Sequence, residues 1–595
     1  MAGRFCYYPN MARRSNGAVH VATITKRVGD REYVSHLLRQ SYREGGKVKN
    51  RTLANISFLP LTAIDVLRRS LAGETLVAPS EAFTIQRSLP HGHVAAVLGT
   101  ALKLGLDRLI DPRPSRQRDL VLAMVVARVL SPASKLATSH LFSMTSLGSL
   151  LAVEDATEDQ LYAALDWLLK RQEAIETRLQ GRHLDAEKVV LYDLTSTYME
   201  GEHCPLTKRG YSRDGKPTKA QIEFGLLTTK EGVPLGIEAY PGNTGDPTTF
   251  PDQVAKIQRR FGEQDVVWVA DRGMLTSRQV AKLQEIKGAH WVTALRSTTI
   301  KQLVASGTIQ PSLFDTQNLA EVSDPRYPEE RLVVCHNPLL ADERARKRKE
   351  LLAATEKELD KVVAMVARGA AGGRAGLKGS AAIGERVGRV VQKYKMAKHF
   401  VRTIGENSFS YQRDEAAIEA EAALDGLYVV RTNVSAERLG TAGVVLAYKQ
   451  LAHVERAFRH FKLSDLEVRP IYHHNEERVR AHLLLCMLSY WLLHHLQASL
   501  APLLFVDEAP PARPDPVAKA PRSDAARRKE QRQRTEEDGL PIQSFRTLLA
   551  DLATLVKNRV IPDGAGEEAA FFLLTQPTAL QSRAFALLGL TLSPK

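Results

Sequence analysis

The chain changes its hydrophobic rhythm several times, and each change predicts a change of architecture. Between residues 18 and 57 apolar positions alternate with polar ones: VHVATITKRV alternates well, and YVSHLLRQSY and KVKNRTLANI flank Gly45-Gly46. Period-two alternation around a Gly-Gly pair predicts strands joined by a two-residue turn. With that turn, Arg39 and Arg43 share one face of the hairpin and Lys47, Lys49 and Arg51 share the other. Neither face is clean enough to bury, and contact with a polyanion backbone is one use for such a surface. From about 60 to 185 the period lengthens to 3.6 in LTAIDVLRRSLAG, HVAAVLGTALKLG, QRDLVLAMVVARVLS and EDQLYAALDWLLKRQEAIETRLQ, which predicts a helical domain.

At Lys188 the rhythm changes again. KVVLYDLTSTY, QIEFGLLTT and VPLGIEAYPG read as strands, a helix is expected near 247–261, and DVVWVADRGMLTS repeats the first theme before a helix and the strand HWVTAL. This is α/β alternation. The block 298–425 breaks it, with expected strands ERLVVCH, HFVRTIG and SFSYQRD around a charged helix. In that helix Leu352, Thr355, Leu359, Val362 and Val366 are spaced for a short two-helix seam. LYVVRTN at 427–433 resumes the alternation, and residues 506–539 are rich in proline and charge, which predicts a disordered linker. The expected division is a basic β-hairpin region at 1–60, a helical domain at 61–186, an α/β core at 187–297 and 426–500, a β-rich insertion with a helical segment at 298–425, a linker at 501–540 and a helical tail at 541–595.

Composition narrows the class. An apolar content of 44% with 25% charged residues is that of a globular protein, and a net charge of +15 favours nucleic acid or another anionic surface as partner. The four cysteines are far apart with no CxxC pair, which argues against a zinc or disulfide framework and fits a reducing cytoplasm. His473, His474, His494 and His495 have no cysteine partners, and Trp268 is expected in the core. The most apolar run, Leu483–Leu496, is too short to cross a membrane and reads as a buried helix, and MAGRFCYYPN has no apolar run of signal-peptide type. No membrane partner is expected.

The stretch Tyr448–Lys462, YKQLAHVERAFRHFK, organises the candidate chemistry. Leu451, Val454, Phe458 and Phe461 form one apolar arc at helical spacing, while Tyr448, Glu455 and Lys462 stack along its edge, with Arg459 close to the same line. The bland alternative is an i,i+4 pair of Glu455 with Arg459 on a solvated face. Asp193 and Asp271 follow apolar runs, where adjacent strands of an α/β sheet bring their ends together. Two such carboxylates and one from a crossing helix suit a pair of divalent cations about 4 Å apart, as phosphoryl transfer needs. Hard oxygen donors favour Mg²⁺, with Mn²⁺ as substitute.

YDLTS at 192–196, ADRGM at 270–274 and Tyr448 with Glu455 and Lys462 resemble the DDE transposases of bacterial insertion sequences, in the cut-and-paste group with a Tyr-Arg-Glu-Lys signature. GYSRDGKP, GIEAYPGNTGDPTTF, LDGLYVVRTN, VERAFRHFK, SYREGGKVKNRTLANI and RPIYHH extend the resemblance over nearly the whole chain apart from the 506–539 segment. The resemblance implies a ribonuclease-H-like core interrupted by an insertion, with Asp193, Asp271 and Glu455 as catalytic metal ligands. It implies DNA contacts by Tyr448 and Lys462, double-stranded DNA (terminal inverted repeats and target) as substrate, a synaptic homodimer, and a cytoplasmic, nucleoid-associated place of action. One departure stands out: the signature's Arg falls at Leu451, so its phosphate contact passes to Arg456 or Arg459 or is absent. In this group the cleaved end is often closed as a hairpin. Two other readings stay open: a Mg²⁺-dependent nuclease or phosphatase on a related fold, and a transposase-derived DNA-binding protein that no longer cuts.

Overall fold

The structure, a computed structural model, describes residues 18–74, 82–184, 188–201, 203–261, 266–315, 317–373, 376–463, 465–513 and 515–592. The chain divides into two units, one of residues up to Ser88 with Asn558–Leu573, the other of Leu89–Lys557 with Leu574–Pro594.

In the first unit β1 (Val19–Val28), β2 (Arg31–Glu44) and β3 (Lys47–Asn55) form an antiparallel sheet in that order. Glu44 pairs with Lys47 across Gly45 and Gly46, whose φ angles of +57° and +77° are those a two-residue hairpin turn demands of both central residues. Tyr42 pairs with Lys49 and Gln40 with Arg51, which puts the lysines and Arg51 on the face opposite Arg43. A second sheet, of β4 (Phe83–Pro90), β15 (Val556–Pro562) and β16 (Phe571–Leu574), runs in the order β16-β15-β4. Both places fall inside segments expected to be helical as domains, 61–186 and 541–595. β4 finds its partner β15 some 470 residues away, as in the bond from Ser88 Oγ to Asn558 Oδ1, so no local pattern announces it.

The second unit is built on one mixed eight-stranded sheet: β5 (Val189–Tyr198), β6 (Gln221–Thr229), β7 (Pro234–Pro241), β8 (Val266–Ala270), β9 (Ala289–Ala294), β10 (Leu319–Val322), β11 (Arg331–His336) and β14 (Leu427–Thr432), in the order β10-β11-β14-β9-β8-β5-β6-β7. β8 lies parallel to both β5 and β9, and the other pairings are antiparallel. Two of the helices that pack into its core are buried almost throughout. Arg116–Leu130 is buried without interruption from Leu120 to Leu130, and Glu476–Ser499, capped by Asn475, buries Leu483 to Leu493. Among the described residues no single helix is long and apolar enough to cross a membrane.

Two expectations are corrected. The 298–425 block is not β-rich. β10 and β11 belong to the main sheet, and beyond them helices Pro338–Ala370, Ser380–Tyr394 and Glu415–Ala422 outweigh the hairpin of β12 (Phe400–Ile404) and β13 (Phe409–Arg413). The seam residues Leu352, Leu359, Val362 and Val366 meet Ile383, Val387 and Val391 of the second helix. Burial on a partner outweighs the weak helix preference of that β-branched, glycine-containing stretch.

The 501–540 segment is not a disordered linker. It contains the helix Asp524–Arg532 and a fully buried Val517. Lys529 Nζ donates to Ala501 O at 2.8 Å, and Lys449 Nζ donates to Val517 O at 2.5 Å and Ala518 O at 3.0 Å. Asn318 reaches Asp515 at 2.8 Å. Order comes from bonds to other parts of the fold, which the segment's own composition does not reveal.

Candidate active site

Tyr192 pairs with Ala270 in the parallel ladder of β5 and β8, so the residue that follows each of them is a carboxylate, Asp193 beside Asp271. β8 ends at Ala270, whereas β5 runs on to Tyr198 against β6. Asp193 therefore does not end its own strand; it stands where the neighbouring strand ends. Successive residues of a strand point to opposite faces. Val189, Leu191 and Val269 share a core with Val454, Ala457 and Phe461 of the helix Leu451–Lys462, while Val190, Tyr192 and Trp268 pack on the other side with Phe250. Asp193, two residues on from Leu191, faces that helix. Phe224 of β6 clamps it, with ring centroids 5.6 Å from Phe458 and 6.0 Å from Phe461.

Glu455 stands exposed between buried Val454 and Phe458. With Asp193 and Asp271 it lines one cavity of about 830 Å³, whose wall also includes Thr195, Tyr211, Arg213, Glu223 and Asn243. The loop supplying Tyr211 and Arg213 is fastened from both sides. Gly210 lies so close to Gly242 that a Cβ on it would stand 1.9 Å from the Gly242 carbonyl oxygen, and Arg213 donates from its backbone to Ser196 Oγ at 3.0 Å and from its guanidinium to Leu194 O at 2.7 Å.

Burial pushes the Asp193 carboxyl up to about 7; Asp271 and Glu455 add to the rise, and the Leu194 N–H and Arg213 oppose it. The Leu194 N–H reaches Asp193 Oδ1 at 2.8 Å. Asp271 accepts at 3.1 Å from the Tyr448 hydroxyl, whose own proton is held more tightly than usual by burial and then by the Asp271 charge. Three carboxylates facing one cavity match a hard divalent cation in donor chemistry. Their spacing is open: among the described residues no three Asp, Glu, His or Cys side chains come close enough to hold one ion.

The remaining expected contacts are placed less simply. Tyr448 is not on the helix of Glu455; it closes the preceding helix Thr441–Lys449, and the break falls at Gln450. Lys462 points inward and donates to Thr195 Oγ1 at 2.6 Å and to Asp214 Oδ1 at 2.9 Å, and burial lowers its pKa. Arg456 and Arg459 are exposed, while Leu451, at the signature's Arg position, packs against the core. Asp214, Thr195 and Glu223 were not singled out from sequence. Asp214 looks like any turn acid before Gly215, and the one available signal for Glu223 is a lone charge inside the apolar run QIEFGLL.

Residues 185–492, more than half of the chain, match the transposase DDE domain, so the chain belongs to that family. Residues 21–80 match the N-terminal domain of IS1634 family transposases, which makes it an insertion-sequence transposase, an enzyme that cuts and moves DNA. Enzymes of this family use divalent metal ions. No curated protein matches. A cryo-EM structure of a piggyBac transposase synaptic complex with hairpin DNA is similar at 10% identity over 77% of this chain and 76% of that one, with a TM-score of 0.32, too slight a likeness to carry an argument.

Proposed function

We propose that this transposase binds the terminal inverted repeats of its own element, cuts at their boundary and joins the ends to target DNA through Asp193, Asp271 and Glu455. The observation that carries the reading is the β5/β8 register, which makes Asp193 and Asp271 neighbours on the face where the Glu455 helix packs. The run β9-β8-β5-β6-β7, with its three antiparallel strands and two parallel ones, supports a ribonuclease-H-like core. The three carboxylates are the residues that would hold Mg²⁺, or Mn²⁺ in its place; a bound pair of such ions supplies an activated water or 3′-hydroxyl and charge compensation at the leaving oxygen.

The chain's own residues orient the site. Tyr448 holds one oxygen of Asp271, Arg213 offsets charge beside Asp193, and Phe224 fixes the helix that carries Glu455. Arg456 and Arg459, exposed on that helix, are suited to backbone phosphates. Two ends cut together call for a synaptic homodimer, acting in the cytoplasm at the nucleoid.

The test is cleavage of a duplex carrying the terminal repeat, with Mg²⁺, by the wild type and by Glu455→Gln. Nicking at the repeat boundary that vanishes in the variant while end binding persists is the expected result. Equal cutting by both refutes the carboxylate assignment, and binding without cutting by either leaves a DNA-binding protein that has lost catalysis.

A further inference from the structure

The hairpin of β2 and β3 has two faces that differ in what their side chains already hold. β1 accompanies β2 only as far as the Val19–Gln40 pair, so Ser41–Glu44 and Lys47–Asn50 run on as a two-stranded ribbon that ends at Gly45-Gly46. Arg39, Ser41 and Arg43 share one face, and their cross-strand partners Thr52, Asn50 and Val48 share it with them. The other face carries Gln40, Tyr42 and Glu44 with Arg51, Lys49 and Lys47.

That other face is engaged within the unit. Lys49 Nζ lies 2.7 Å from Glu44, and Arg51 donates to Gln40 at 2.9 Å. The helix Leu61–Leu71 reaches the same side, where Arg68 donates at 3.2 Å to Thr23, the cross-strand partner of His36. The first face keeps its cations unmatched. Arg39 Nε is buried without a hydrogen-bond partner, and among the described residues neither Arg39 nor Arg43 is paired with a carboxylate. Between them Ser41 Oγ donates to Asn50 Oδ1 at 2.7 Å, which fixes that side chain and leaves its amide N–H groups to donate. Val48, opposite Arg43, stands exposed.

These are the groups that read base edges. A guanidinium pairs with the two acceptors of guanine, a side-chain amide with adenine, and an exposed methyl packs on thymine. A surface for phosphates alone needs only charge, which lysine supplies; here the lysines stand on the other face, and short directional donors lie between the arginines. A two-stranded ribbon fits the major groove, which is about 12 Å wide. Arg39 and Arg43, four residues apart on one strand, are separated by about 13 Å, close to four base-pair steps of about 3.4 Å.

We infer that this face of the ribbon enters the major groove of the terminal repeat and reads its sequence, with Arg39 and Arg43 on guanines and Asn50 on an adenine between them. The inference rests on the repeat-binding reading above and assigns the residues that distinguish the repeat from other DNA.

The test compares binding of the full chain to a duplex carrying the terminal repeat and to a random-sequence duplex of equal length, without divalent ions. Arg43→Lys keeps the charge and removes the planar fork, so repeat binding is expected to weaken by about tenfold while random-duplex binding stays within about twofold. Arg39→Lys and Asn50→Ala are expected to act in the same way, so the test does not hang on the folding of one variant. Lys47→Gln, on the other face, is expected to leave the ratio of the two affinities unchanged. Equal weakening on both duplexes by Arg43→Lys marks a phosphate surface and overturns the inference. An unchanged ratio in Arg39→Lys, Arg43→Lys and Asn50→Ala overturns it too, as does a ratio lowered equally by Lys47→Gln. A wild type without preference for the repeat refutes the repeat-binding reading and this inference with it, whereas a wild-type preference that every variant keeps refutes this inference alone.

Discussion

The hydroxyl of Tyr448 donates to Asp271 Oδ1 at 3.1 Å across a sequence separation of 177 residues. A neutral donor in that place fixes the carboxylate's rotation while leaving its charge for a cation. Tyr448→Phe is expected to raise the Mg²⁺ concentration for half-maximal cleavage by about tenfold, as removal of such outer supports does. A metal titration at saturating DNA checks it, and an unchanged midpoint means that the bond does not orient Asp271.

Phe224 is wholly buried between Phe458 and Phe461, so it sets the seat of the Glu455 helix on the sheet. Phe224→Ala is expected to cost about 3–5 kcal/mol in stability. Chemical denaturation followed by circular dichroism measures this, and a loss below about 1 kcal/mol contradicts the packing role.

Arg456 and Arg459 contrast with Lys462 in being exposed. Replacing either by Gln is expected to leave the melting temperature unchanged and to lower the salt slope of DNA binding by about 0.9. A slope identical to wild type removes that arginine from the DNA surface.

Burial holds His91, His93, His183 and His495 down at about 4 and His473 at about 3, all below the ordinary 6.5. Between the two values the unfolded chain binds protons that the folded chain does not, so stability rises with pH in that window. The stabilisation is complete above about 6.5 and is lost as pH falls toward 4. Melting temperatures measured from pH 8 to 4.5 are expected to be level at first and then to fall; a profile still level at pH 5 rules out neutral burial of these imidazoles.

Much of the site was legible because strands and helices repeat regularly. The Val-rich runs before Asp193 and Asp271, and the arc of Val454, Phe458 and Phe461, carry their structural assignments locally. What the sequence hides is decided by partners. β4 becomes a strand only beside β15, and Ser380–Tyr394 is a helix because Ile383 and Val387 find the seam of a second helix. The Asp214 carboxylate accepts from Lys462, 248 residues away, a pairing no local pattern announces. Leu451 also shows the limit of motif reading: its place is a packing position against the core, which a match to a signature does not disclose.

The bonds from Lys449 to Val517 and Ala518 have a consequence for the order in which the molecule is completed on the ribosome. A nascent chain that has emerged as far as residue 500 already carries all three carboxylates. It still lacks the segment that holds the end of the Tyr448 helix. These two bonds behind Tyr448, the donor to Asp271, therefore wait on a late part of translation.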